Sequence, residues 1–217
     1  PAVSTIGSNV MIGSNAGRLV TSASNTIIGT SAALNTVGGA SNVIIGASSS
    51  SNLSSGSNNV YVGTSSGPNS TSTAGSNVAI GDTAGTSITT GGNNIIIGAN
   101  ADNPTATTTD NIIIGVSAVG SSSGRTLLMG TNTRGSADAI AIGSGQDVLF
   151  KSVAIGSIGS TTRTALTTAD GQLSFGSPTI NIKDMFLGRG AKGDGSTTNV
   201  TIQPSPMVGT NLAGSAI

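Results

Sequence analysis

Asn94-Ile95-Ile96-Ile97-Gly98 decides how this chain is read. An asparagine opens it, branched residues stand at its second and fourth places, and a glycine closes it. The same word recurs as Asn9 to Gly13, Asn25 to Gly29, Asn42 to Gly46, Asn59 to Gly63, Asn77 to Gly81 and Asn111 to Gly115. The steps from one closing glycine to the next are 16, 17, 17, 18, 17 and 17 residues. A fixed period slightly shorter than that of helical repeats fits one coil of a β-solenoid. The expected fold is therefore all-β, a parallel β-solenoid or β-roll.

Within each word the second and fourth residues lie two apart, so in a strand they share one face and the third residue takes the other. Valine and isoleucine suit such strands. We expect the second and fourth residues to fill the coil and the third to point away from it. That outward place is often large and apolar, as in Ile27, Ile44, Tyr61, Ile96 and Ile113. Parallel strands apolar on both faces are covered on both sides, so these five residues are expected to meet another coil wall or another chain. The opening asparagines, stacked at about 4.8 Å, are expected to form a side-chain amide ladder.

Three residues after each closing glycine stands a small residue: Ala16, Ala32, Ser49, Ser66, Ala84, Ala101 and Ala118. This phase implies close approach of backbone to backbone, at a tight corner or a symmetry axis. The Ser, Thr, Gly and Asn runs that follow, such as 48–57 and 70–76, read as solvent-facing turns. Beyond residue 120 the rhythm changes. Gly130, Gly143 and Gly156 close words 13 residues apart, and Thr133, Gln146 and Gly159 replace the small residue. Three sections result: regular repeats over 1–120, shorter-period repeats over 121–160, and an irregular β section over 161–217 that carries Pro178, Pro204 and Pro206. A start at Pro1 and an end at Ile217 without a polar cap suggest a piece of something longer.

The composition narrows the chemistry. Of 217 residues only 7% are charged and 2% aromatic, and eight cations balance eight anions. Regularly placed β-branched residues and zero net charge argue against disorder. No basic patch marks a nucleic-acid partner, and no apolar run approaches the ~18 residues of a membrane span. The chain has no Cys, His, Trp or Glu. Hydrolysis would fall to aspartates alone, and Asp82, Asp102, Asp110, Asp138, Asp147, Asp170, Asp184 and Asp194 are scattered singly in turn-like contexts. Carboxylates paired between chains could still serve glycoside cleavage, although sugar clefts usually offer stacking rings and this chain has few. Gly188 to Gly193 matches GxGxxG but leads into another turn rather than a helix, so it is read as a glycine-rich turn. No coil carries the regular aspartate of calcium-binding repeats. Three glycosylation sequons begin at Asn52, Asn69 and Asn199. Neither a cofactor nor a metal is expected, and the chain is not expected to be an enzyme.

A single coil buries few apolar groups against about 1–2 kcal/mol of backbone entropy per residue, so a lone solenoid is marginal and association of identical chains is expected. Ala139 to Gly143 and Ser152 to Gly156 resemble head repeats of trimeric autotransporter adhesins. Longer units such as Gly92 to Gly98 resemble repeats shared by those adhesins and bacteriophage tail fibres. The stretch from Ala169 through Pro204 looks like distal parts of tail fibres. The resemblance implies an intertwined homotrimer and the structural shaft of an extracellular, virion-borne fibre that presents a host-recognition tip. Its implied partners are its own copies, other fibre or tail proteins at its ends, and host surface polysaccharide or protein. The head of a bacterial surface adhesin is the nearest alternative, and a polysaccharide depolymerase is a more distant one.

Overall fold

A computed structural model describes residues 7–68, 72–155 and the backbone of two short strands at 164–165 and 173–175. The chain divides into two units, 1–182 and 183–217, and only the first contains described residues. Most of the irregular C-terminal section, with Asp170, Asp184, Asp194, the 188–193 turn and the sequon at Asn199, lies outside them, as does Asn69.

The fold is all-β, a parallel β-solenoid. Fourteen strands are described: β1 (Val10–Ile12), β2 (Thr26–Ile28), β3 (Val43–Ile45), β4 (Val60–Val62), β5 (Val78–Ile80), β6 (Ile95–Ile97), β7 (Ile112–Ile114), β8 (Leu127–Met129), β9 (Arg134–Gly135), β10 (Ile140–Ile142), β11 (Gln146–Val148), β12 (Val153–Ile155), β13 (Thr164–Ala165) and β14 (Leu173–Phe175). Eleven of them make one sheet in the order β1-β2-β3-β4-β5-β6-β7-β8-β10-β12-β14, and β13-β11-β9 make a second. Every pairing is parallel, and equivalent places of the repeated word sit side by side: Val43 beside Val60, Ile44 beside Tyr61, Ile95 beside Ile112. The second sheet begins only at β9; on the same side the two preceding coils carry isolated bridges, Asp102 to Val119 and Val119 to Arg134.

Two features of the word stop each strand after three residues. The closing glycines adopt φ from +131° to +150°, a region that side chains rarely tolerate. They also stack. A Cβ on Gly13 would stand 2.5 Å from the Gly29 carbonyl oxygen, and one on Gly81 would stand 2.7 Å from that of Gly98. Each glycine carbonyl then accepts the N–H of the small residue three places on, as Gly98 does from Ala101 at 3.1 Å. The intervening third residue is left-handed in every such turn, with φ of 52–58° at Asn15, Ser31, Ser48, Ser65, Thr83, Asn100, Ser117 and Asn132. The small-residue phase is thus a corner of the coil, and its side chains from Ala32 to Ala118 are buried.

Which face of the strand lines the coil is the reverse of the sequence expectation. Ile27, Ile44, Tyr61, Ile96 and Ile113, expected to point outward to another chain or coil wall, are inside the coil, with Ile96 0% exposed. Ala79, Leu128, Ala141 and Ala154 continue the column. The second and fourth residues face out, Ile95 at 37% and Ile12 at 58% exposure. The reason is strand alternation: the asparagine lies two places before the third residue, so a buried asparagine brings that residue inside with it.

The polar runs are not wholly solvent-facing either. Ser50, Leu53, Ser72 and Ala74 are buried. In several coils a second turn follows the first corner and aims another side chain inward: Val20 N–H to Gly17, Leu53 N–H to Ser50, Ile88 N–H to Gly85. Val20, Leu53 and Ile88 all stand seven places after a closing glycine and join the same core.

Candidate functional site

Two features run along the long sheet, one inside it and one outside. Inside is the asparagine ladder. The Oδ1 of Asn42 accepts the backbone N–H of Asn59 at 2.9 Å and its side-chain amide at 3.1 Å. The Asn42 amide donates in turn to Asn25 Oδ1 at 3.2 Å and to the Gly56 carbonyl at 2.9 Å. Asn59, Asn77, Asn94 and Asn111 extend the ladder, donating to the carbonyls of Ala74, Gly91, Thr108 and Thr109 respectively. Asn9 starts it by accepting the Asn25 N–H at 2.8 Å. Thr126, which the sequence reading did not include, ends it: its N–H and its hydroxyl both donate to Asn111 Oδ1, at 3.1 and 2.7 Å. From Asn25 to Thr126 these side chains are buried, and nearly every polar atom finds a partner in an adjacent coil.

Outside, the second and fourth residues of the repeated word, the first and third of each strand, form two parallel columns. From β1 to β12 these twenty places are all apolar except Thr26. Each is exposed or half-buried. Contiguous apolar surface on this scale is more than isolated chains commonly expose. Covering it would contribute roughly 1 kcal/mol per branched side chain, on the order of 20 kcal/mol along the face. That exceeds the ~4–15 kcal/mol lost on association. Family models, curated proteins and solved structures give no match to this chain.

The residue just before the asparagine place borders this face, and it too is left-handed in coil after coil. In the longer coils it is Ser24, Ser41, Asn58, Ser76 and Asn93. Then it becomes Asp110, Arg125, Asp138 and Lys151, charges of alternating sign. Arg125 grips Asp138 with two nitrogens, at 2.8 and 3.1 Å.

Of the described aspartates, Asp138 and Asp147 line one groove, and the others sit singly. Asp82 sits in the turn after Gly81, and Asp110 and Asp138 hold left-handed turn positions. Asp102 lies at a corner, where its carboxylate accepts the Thr86 hydroxyl at 2.9 Å and the N–H groups of Ser87 and Asn103 at 3.0 and 2.8 Å. Burial pushes its pKa above the ordinary carboxylate range, and these hydrogen bonds oppose the rise. Tyr61, packed on Gly67 in the interior, has its phenol pushed well above its usual value by burial. Among the described residues no three metal-ligating side chains come together.

Proposed function

We propose that this chain is the structural shaft of an extracellular fibre, most consistent with a virus tail fibre, whose identical subunits associate as a homotrimer and present a recognition tip. The observation that carries it is the double column of outward apolar side chains from Val10 to Ile155, a face that water does not favour and that a parallel copy can cover. Coils of ~17 and then ~13 residues, each advancing about 4.8 Å, make such a shaft stiff for its mass. The lack of His, Cys and Glu fits a mechanical role. The head of a bacterial surface adhesin is the second reading, favoured by the shorter words Ala139 to Gly143 and Ser152 to Gly156.

Sedimentation equilibrium tests the association: a mass three times 20.8 kDa is expected, and a folded monomer at micromolar concentration overturns the reading. Antibodies raised against the chain then separate the two settings. Labelling of virus particles and blocked adsorption support the fibre, whereas labelling confined to uninfected bacteria supports the adhesin.

A further inference from the structure

The arc that returns from the small-residue corner to the next asparagine place shortens along the solenoid. It has nine residues at 102–110, seven at 119–125, and five at both 134–138 and 147–151. The wall therefore steps inward, and the step is an open groove of about 810 Å³. In a chain so poor in charge, three of the four described cations line this groove: Arg125, Arg134 and Lys151, with only Arg18 elsewhere. Asp138 and Asp147 lie there too, as does Phe150, 36% exposed, while the one tyrosine is buried.

These groups are not equivalent. Arg125 is neutralised by its two-nitrogen grip on Asp138. Arg134 closes no ion pair among the described residues, although Asp147 is its register partner on β11, and Lys151 closes none either, its Nζ held 4.9 Å from the centre of the Phe150 ring. A cation held over an aromatic face is placed without being neutralised. Ser122 and Ser123 offer exposed hydroxyls on the overhanging side.

We propose that this step groove binds an acidic polysaccharide. An open trough lined by hydroxyls suits an extended polar chain. The planar fork of Arg134 matches a carboxylate or sulfate, and Lys151 supplies a second positive charge. The exposed part of Phe150 gives a sugar ring its apolar contact, and Asp147 can accept a sugar hydroxyl. The inference goes beyond the shaft reading and does not depend on it, because one chain builds the whole groove.

The test uses the full chain and three probes: an oligosaccharide of uronic acids, dextran sulfate and neutral dextran, each titrated calorimetrically at low and at physiological salt. Saturable binding of an acidic probe, weakening with salt and absent for neutral dextran, is expected. Arg134→Ala and Lys151→Ala should each weaken it about tenfold, while Arg18→Ala leaves it unchanged, with circular dichroism and sedimented mass unaltered in all three. Binding of the sulfated probe alone identifies sulfate as the recognised group, and binding of the uronic acid probe identifies carboxylate. The proposal is overturned if neither acidic probe binds, if neutral dextran binds equally, or if Arg18→Ala weakens binding as much as the groove variants. It is also overturned if the groove variants lower the sedimented mass and leave saccharide binding intact, since the groove would then be a subunit contact.

Discussion

The side-chain oxygen of Asn94 accepts both the backbone N–H and the side-chain amide of Asn111, at 3.1 and 2.9 Å. The Asn94 amide itself donates to Asn77 and to the Thr108 carbonyl. One residue thus satisfies buried groups in the coils on both sides, so the ladder acts as a cooperative element and not as separate bonds. Asn94→Ala would leave the buried Asn111 N–H and the Thr108 carbonyl without these partners and strip one bond each from the Asn111 amide and Asn77 Oδ1, and a loss of about 2–4 kcal/mol is expected. Chemical denaturation reads this directly, and a loss below about 0.5 kcal/mol would show that water replaces the ladder.

The two faces of a strand predict opposite consequences for neighbouring residues. Ile96→Ala hollows the coil and should cost about 2–5 kcal/mol in folding. Ile95→Asp, one residue earlier on the outward column, should leave the circular dichroism of the solenoid nearly unchanged and release subunits from the proposed homotrimer. Sedimentation and thermal melting of the two variants separate these effects, and an exchange of the two outcomes would reverse the facing.

At the closing glycines any side chain meets both an unfavourable φ and the next coil. Gly46→Ala, at φ +138° above Gly63, is expected to cost several kcal/mol, in the range of about 3 or more. Thr83 gives the contrasting case. It is a β-branched residue at φ +52°, where Asn15, Asn100 and Asn132 occupy the same turn place in other coils. Thr83→Asn should raise stability by about 0.5–1 kcal/mol, and a fall in melting temperature would refute the strain.

Tyr61 is the single tyrosine of a chain without tryptophan, so ultraviolet titration reports on it alone. Burial raises the pKa of its phenol in the folded state. A raised acid keeps its stabilising contribution below the unfolded pKa near 10 and loses it as pH climbs above that value. Tyrosinate absorbance should therefore stay low through pH 10 and rise only with unfolding, and Tyr61→Phe should flatten the loss of stability above that pH. A reversible titration near pH 10 with the fold intact would contradict the burial.

The periodic word makes the strands, their parallel stacking and the corners legible in the sequence, because each is a local demand repeated at one phase. Gly13 and its successors are needed for backbone reasons alone. The asparagine ladder was legible for the same reason. Val20, Leu53 and Ile88 are not legible in the same way, although all stand seven places after a closing glycine; only some coils carry an apolar residue there, and the polar runs around them look like loops.

Sequence by itself determined the period, the register and the two-faced character of each strand, since alternation places Asn94, Ile96 and Gly98 on one side and Ile95 and Ile97 on the other. It could not by composition say which side is the interior, because both are apolar. The tertiary structure decided that: the asparagine amides find buried partners only inside the coil stack, and Ile96 follows Asn94 there. The step groove is likewise a tertiary property. It arises from a difference in arc length between adjacent coils, and its charges, spread over residues 125–151, converge only when those coils are stacked.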